Sequence, residues 1–152
     1  MRGGDSKLMD EIVAKGLLGK KTKKGIFNYE GKKNKRVGVN PEAQAIMEKY
    51  KLNPIAETSS TEDLQYRVAL RFVNEAVMTL EEGVIQSPTD GDIAAVFGVG
   101  FPARFGGPFK FVDTIGADKV VERMQKYEKH YGVAFTPCKT LLDMAKSGKK
   151  FY

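Results

Sequence analysis

Apolar residues recur every three or four positions over much of this chain, a spacing that places them on one face of an α-helix. The pattern is clearest over about five helical turns, where the apolar positions are Leu64, Val68, Phe72, Val73, Ala76, Val77 and Leu80. We predict that this helix is central to the fold. No segment alternates apolar and polar residues for long enough to predict a strand, so the pattern predicts an all-α fold.

Shorter helices are predicted on both sides of the central one, because capping residues or cap–proline pairs precede further apolar periods. Their predicted starts are Ser6, Asn40-Pro41, Ser87-Pro88, Asp118 and Thr136-Pro137. The segment from Lys20 to Gly38 shows no helical period. We expect this irregular N-terminal segment to be extended or looped.

The segment from Gly98 to Gly116 has a different composition from the predicted helices. It contains five glycines, two prolines and four phenylalanines in nineteen residues. Glycine and proline favour tight changes of chain direction, whereas four phenylalanines require burial. We therefore predict a packed bend between two helices, with Pro108 at the first position of the second helix and Gly116 just past its end.

The positive charge is concentrated near the N-terminus. Residues 1–36 contain eleven Lys/Arg and four Asp/Glu, whereas the whole chain, with a net charge of +6, contains 25 and 19. Such a run can bind nucleic acid, acidic lipid or a phosphate-bearing ligand, or it can be a solvated connector. The candidate anion or partner contacts in it are Lys20, Lys21, Lys23 and Lys24. The overall composition, 41% hydrophobic, is that of a globular protein.

The sequence offers no residues for hydride transfer or for a metal site. Gly98-x-Gly100 follows a predicted helix and not a strand, unlike the turn that binds dinucleotides. The single histidine, His130, and the single cysteine, Cys138, cannot form a standard zinc site within one chain. We therefore expect no catalytic, cofactor-binding or metal-binding residue in this chain.

Three further residues have more than one interpretation. Arg104 lies among the phenylalanines of the bend, where it anchors a carboxylate or phosphate of a partner, stacks on an aromatic ring or caps backbone carbonyl groups. Asn74 either touches a neighbouring active site or satisfies backbone groups of the bend. Cys138 lies near a helix start, so it is either a thiol with a lowered pKa or a small buried apolar residue.

The bend resembles a signature in the C-terminal helical domain of 3-hydroxyacyl-CoA dehydrogenases. The matching positions are Gly98, Gly100, Phe101, Pro102, Gly107, Pro108, Phe109, Asp113 and Gly116, all read as packing residues. The residues inserted before Gly107, together with Phe135-Thr-Pro-Cys138 and the final Lys149-Lys-Phe-Tyr152, are similar to multifunctional fatty-acid-oxidation α-subunits, in particular the mitochondrial trifunctional ones. Gly16–Tyr29 resembles the stretch that closes the first of two helical copies in those proteins.

The resemblance implies a division of the chain and a function. Residues 1–31 would be the tail of the first helical copy, and residues 32–152 the second copy. The parent protein would hydrate 2-enoyl-CoA and oxidise 3-hydroxyacyl-CoA with NAD bound upstream of this chain. The chain itself would have a structural role, in contact with the rest of the α-subunit and with a thiolase β-subunit.

The resemblance also implies a mitochondrial location, in the matrix at the inner-membrane surface. An alternative from a different class is a free-standing basic helical module that binds nucleic acid or a membrane surface through residues 20–36. The lysines do not follow a helical face and few aromatic residues lie between them, which favours a solvated connector. Nucleic acid is therefore not the expected partner.

Overall fold

The computed structural model describes residues 5–152, which form two compact units joined between Pro54 and Ile55. We call residues 5–54 the N-terminal unit and residues 55–152 the C-terminal unit. The described residues contain seven α-helices and one two-stranded sheet, which confirms the all-α prediction apart from the small sheet. The N-terminal unit contains α1 (Lys7–Ala14), β1 (Phe27–Glu30), β2 (Lys35–Val39) and α2 (Pro41–Lys49). The C-terminal unit contains α3 (Thr61–Glu81), α4 (Pro88–Val99), α5 (Pro108–Ile115), α6 (Ala117–Tyr131) and α7 (Lys139–Ser147).

The N-terminal unit is a pair of short helices with a hairpin between them in sequence. Its small core consists of Ile12, Leu17, Ala43 and Ile46. Helix α2 begins as predicted, because the Asn40 side chain accepts a hydrogen bond from the Glu42 amide at 3.0 Å and Pro41 follows it. At α1, by contrast, Ser6 makes no capping bond from its side chain.

The hydrophobic pattern did not predict the hairpin. Strands β1 and β2 are antiparallel, with an irregularity in the pairing between Asn28 and Tyr29. Each strand is only four or five residues long, and all residues of β2 are exposed. Apolar alternation over so few residues does not stand out from chance, so the expectation of an extended or looped segment did not include the pairing of the strands.

The C-terminal unit is built around α3, which contacts α5, α6 and α7. Its core includes Leu70, Val73 and Val77 of α3, all fully buried. Two members of the predicted apolar stripe differ, since Leu64 is 51% exposed and Val68 is 76% exposed. The first turns of α3 therefore carry apolar side chains that the unit itself does not cover.

The bend between α4 and α5 is closely packed. Phe101 and Phe111 are buried and Phe109 is inaccessible to solvent. Pro108 occupies the first turn of α5, and Gly116 follows its last residue. Gly107 has a φ of +118° and lies against the Asp92 side chain, so any side chain at this position would be both strained and obstructed.

Candidate functional site

Two aspartates connect the bend to the last residues of the chain, in what we call the terminal clamp (Asp92, Phe109, Asp113, Phe151 and Tyr152). Asp113 accepts hydrogen bonds from the backbone amides of Phe151 and Tyr152, both at 2.9 Å. The Phe151 ring packs edge-on against Phe109, with ring centroids 4.9 Å apart. The signature residues Phe109 and Asp113 thus hold the end of the described chain against α5.

Asp92 completes the clamp from α4. Its carboxylate accepts the Phe109 amide at 2.8 Å and the Lys110 amide at 3.1 Å, so it caps the start of α5. The same carboxylate accepts the Tyr152 hydroxyl at 2.8 Å. Sequence reasoning missed Asp92. The available signal was an acidic residue within the apolar run of α4, where a buried charge requires partners.

A broad depression, which we call the apolar groove, lies between α3 and the bend. Its volume is about 810 Å³, and its lining includes Leu64, Val68, Phe72, Val99, Phe105 and Ile115. Val99 is 67% exposed, comparable with Val68 on the opposite side. Exposed apolar patches of this kind mark surfaces that bind a partner or a ligand.

Arg104 also lines the groove, and the structure shows one of the interactions considered from the sequence. Its guanidinium lies over the Phe105 ring, 4.5 Å from the ring centroid. This is the cation–π geometry considered from the sequence. A role for Arg104 in binding a carboxylate or phosphate stays a prediction.

Asn74 satisfies backbone groups, although not those of the bend. Its amide nitrogen donates to the Thr136 carbonyl at 3.1 Å, and its oxygen accepts the Cys138 amide at 2.8 Å. Asn74 therefore fixes the start of α7 on α3. In the bend, it is Asp92 that accepts hydrogen bonds from the backbone amides of Phe109 and Lys110.

Cys138 is buried, and burial raises the pKa of its thiol to about 12. A thiol with so high a pKa is protonated at neutral pH and reacts slowly. Of the two interpretations, the structure supports a small buried core residue.

A second polar cluster connects α3 to α6. Asp63 accepts hydrogen bonds from the Tyr127 hydroxyl at 2.9 Å and from Lys126 Nζ at 3.2 Å. Ser60 donates to the other carboxylate oxygen at 2.5 Å, and the Asp63 amide donates back to Ser60 at 3.0 Å. Hydrogen bonds from Ser60 and Tyr127 lower the pKa of Asp63 to about 2. The cluster is a helix cap joined to a neighbouring helix, a structural arrangement.

The basic segment forms two turns held together by Lys23. Its ammonium group donates to the Gly31 carbonyl at 2.7 Å and to the Asn34 side chain. Tyr29 also donates its amide to the Lys23 carbonyl at 2.8 Å. Lys23 is thus engaged within the unit, whereas Lys20, Lys21 and Lys24 have exposed side chains. No acidic residue of the described chain forms a salt bridge with a lysine of this segment.

Residues 5–152 contain neither a cluster of metal ligands nor a membrane-spanning helix. No group of three or more His, Cys, Asp or Glu side chains within that range is arranged to hold a metal ion. His130 lies on the surface of α6 with its Nε2 atom 3.2 Å from Glu57 Oε2. None of the helices in that range is long and apolar enough to cross a membrane.

The fold is an α-helical domain in which Asp92 binds the bend between α4 and α5, and α5 packs against residues 151 and 152. The family model described as the 3-hydroxyacyl-CoA dehydrogenase C-terminal domain matches residues 65–151. The chain therefore belongs to the family of 3-hydroxyacyl-CoA dehydrogenase C-terminal domains.

The relatives that the chain matches are much longer proteins. The chain is 41% identical over 143 residues to the fatty acid oxidation complex subunit alpha of Shewanella loihica, and this match covers 94% of the chain and 20% of the relative. It is 40% identical over 145 residues to the subunit of the same name in Vibrio vulnificus, covering 95% of the chain and 20% of the relative. The chain thus spans about a fifth of the length of the curated relatives it matches.

These relatives correct one expectation. The predicted mitochondrial location, with its inner-membrane surface, is wrong, because the relatives are proteins of Shewanella and Vibrio, which are bacteria and have no mitochondria. The likeness to mitochondrial trifunctional proteins was inferred from short terminal motifs. Such motifs report the fold of the domain and do not report the compartment in which it works.

Proposed function

We propose that this chain is the C-terminal assembly portion of a multifunctional fatty-acid β-oxidation enzyme. In the parent protein, hydration of 2-enoyl-CoA and NAD-linked oxidation of 3-hydroxyacyl-CoA would take place in the parts that precede this chain, and NAD would bind there. The matched relatives, five times longer and named as α-subunits of a fatty acid oxidation complex, support this proposal. The chain itself would contribute no catalytic group.

The observation that carries the assembly role is the apolar groove. Leu64, Val68 and Val99 each expose half or more of their surface along it. A partner that covers these partly exposed side chains gains part of the roughly 1.5–3 kcal/mol that full burial of each one contributes, so burial in the groove favours docking. The proposed occupant is the preceding dehydrogenase part of the same α-subunit, because a covalent link raises its effective concentration to about millimolar.

A docking experiment tests this role. The preceding part of the parent, expressed separately, is titrated with this chain and binding is measured by calorimetry. Val68→Asp should weaken binding by about tenfold or more, since it places a charge against an apolar partner. Val84→Asp is the matched control, because Val84 is 70% exposed and does not line the groove.

Two outcomes would contradict the assembly role. One is the absence of binding by the unmodified chain. The other is an equal effect of Val68→Asp and Val84→Asp, because it would show that the groove is not the contact.

The second proposed partner is a thiolase β-subunit, since the relatives are named as subunits of a complex. Co-purification of this subunit with the unmodified chain and with Val68→Asp tests whether it binds the same groove.

We also propose that residues 1–31 are the tail of a first helical copy and residues 32–152 the second copy. The first four of these residues lie outside the described part of the chain. Two parallels support the proposal. A glycine with positive φ follows each helix within two residues, Gly16 (69°) after α1 and Gly148 (68°) after α7. A leucine precedes a phenylalanine by the same spacing at Leu17–Phe27 and Leu141–Phe151. The boundary between the compact units, after Pro54, lies later than residue 31.

A further inference from the structure

Helix α1 of the N-terminal unit has two apolar faces, and the described residues cover only one of them. Leu8 and Ile12 belong to the small core that α1 shares with α2, and Ile12 is 3% exposed. Met9 and Val13 lie one position further along the helix and are 54% and 55% exposed. Residues four positions apart share a helix face. We call this second apolar face the outer face of α1 (Met9 and Val13).

The N-terminal unit is small, so burial of the outer face matters for its stability. A chain of about 60 residues buries only about 60% of the surface that its unfolded form exposes and is marginally stable. This unit is shorter and has a buried core of four residues. Its hairpin adds little, because an isolated two-stranded hairpin is marginal in water. A partner that covers the outer face of α1 therefore stabilises the unit.

Helix α7 of the C-terminal unit matches α1 in register. The two helices begin at Lys7 and Lys139, and the glycines with positive φ that follow them are Gly16 and Gly148. Both landmarks are 132 positions apart. The match therefore extends from the first residue of each helix to the glycine beyond its end.

At the positions of the outer face, α7 carries residues that belong to the core. In this register Leu141 takes the place of Met9 and is inaccessible to solvent. Ala145 takes the place of Val13 and packs against the buried cluster of the C-terminal unit. Helix α7 contacts α3 and α6 there. The apolar residues on the outer face of α1 are thus those of a last helix that packs against two others.

We propose that the outer face of α1 docks against two helices of a further helical copy that precedes this chain in the parent, the counterparts of α3 and α6. This inference rests on the proposed function, in which residues 1–31 are the tail of a first copy. The matched relatives are five times longer than this chain, so they have room for such a copy. Subtraction of 132 from the bounds of α3 and α6 places their counterparts about 50–70 residues before Met1 and within about the last 15 residues before it.

Single cysteine variants of the full-length parent and of the 152-residue chain test this contact. Val13→Cys reports on the outer face and Val68→Cys on the apolar groove. Val84→Cys is the matched control, because Val84 is 70% exposed and does not line the groove. The native Cys138 is buried and gives little background. All three valines are more than half exposed, so the variants should remain folded, which circular dichroism verifies.

The measurement is the rate of modification by a maleimide, read for each position by peptide mass spectrometry. In the isolated chain all three thiols should react readily. In the parent Val13→Cys should react about tenfold more slowly or less, and Val84→Cys should change less than about twofold, since a covered thiol is protected from the reagent. A photo-cross-linker attached at Val13→Cys should join this position to one of the two counterpart helices.

Three results would overturn the proposal. Equal reaction of Val13→Cys in the parent and in the isolated chain would show that the outer face stays open in the assembled protein. Slow reaction in the isolated chain would show that this chain covers the face itself. A cross-link to any other part of the parent, to a second copy of it or to another subunit would assign the face to a different partner.

The variant at Val68 separates this contact from docking through the apolar groove. Protection of Val13→Cys without protection of Val68→Cys would support the contact at α1 and remove the docking role of the groove. The reverse result would remove the contact at α1 and leave the groove as the docking surface.

Discussion

Replacement of Phe109 with alanine tests how far the packed bend stabilises the C-terminal unit. The Phe109 side chain is inaccessible to solvent, packs edge-on against Phe151 and lies against the backbone of Gly91. Emptying a buried phenylalanine site costs about 3–5 kcal/mol, and loss of the aromatic pair with Phe151 favours the upper part of that range. For a domain of this size such a loss lowers the melting temperature by about 12–40 °C.

The measurement is urea unfolding followed by circular dichroism at a helical wavelength, because most of the helices lie in the C-terminal unit. Phe97→Ala is the matched control, since Phe97 is a phenylalanine of α4 that is 86% exposed, and its loss should change the free energy of unfolding by less than about 0.5 kcal/mol. A cost below about 1 kcal/mol for Phe109→Ala would refute the reasoning, because the bend would then not be part of the core.

Two further predictions concern ionisable groups. Hydrogen bonds from Ser60 and Tyr127 lower the pKa of Asp63 to about 2, below its value of about 3.9 in the unfolded chain. The ionised carboxylate therefore stabilises the fold above about pH 4, and this contribution is lost as the pH falls toward 2. In unfolding experiments at decreasing pH, the stabilities of the unmodified chain and of Asp63→Asn should converge over that range. Burial raises the pKa of the Cys138 thiol to about 12, so a thiol reagent at neutral pH should modify it only when urea unfolds the chain, and rapid modification of the folded chain would contradict its burial.

The sequence predicted the elements whose signals are local. Pro108 and Gly116 marked the start and end of α5 because a proline at the first turn and a glycine after the last one act through their own backbone. The all-α class followed from periodicity in the same way. The exposure of Leu64 and Val68 could not follow, because a helical period shows which residues share a face and does not show whether another element covers that face.

The polar contacts of the candidate site depended on distant partners. Asn74 binds Thr136 and Cys138, more than sixty positions away, and the sequence offered the nearer bend as an equally good acceptor. Asp92 and Asp113 reach Tyr152 across sixty and thirty-nine positions. Only the packed fold determines which of several possible partners lies at hydrogen-bonding distance. The lysine runs, visible as composition, likewise became one surface only through the hairpin.

The terminal clamp has a consequence for the order in which the C-terminal unit can form during synthesis. Phe109 receives its edge-on partner, and Asp113 its two amide donors, from residues 151 and 152. A nascent chain that ends before these residues has one face of Phe109 uncovered and the Asp113 carboxylate without those donors. Since domains fold as units, the C-terminal unit can complete these contacts only after residues 151 and 152 have left the ribosome.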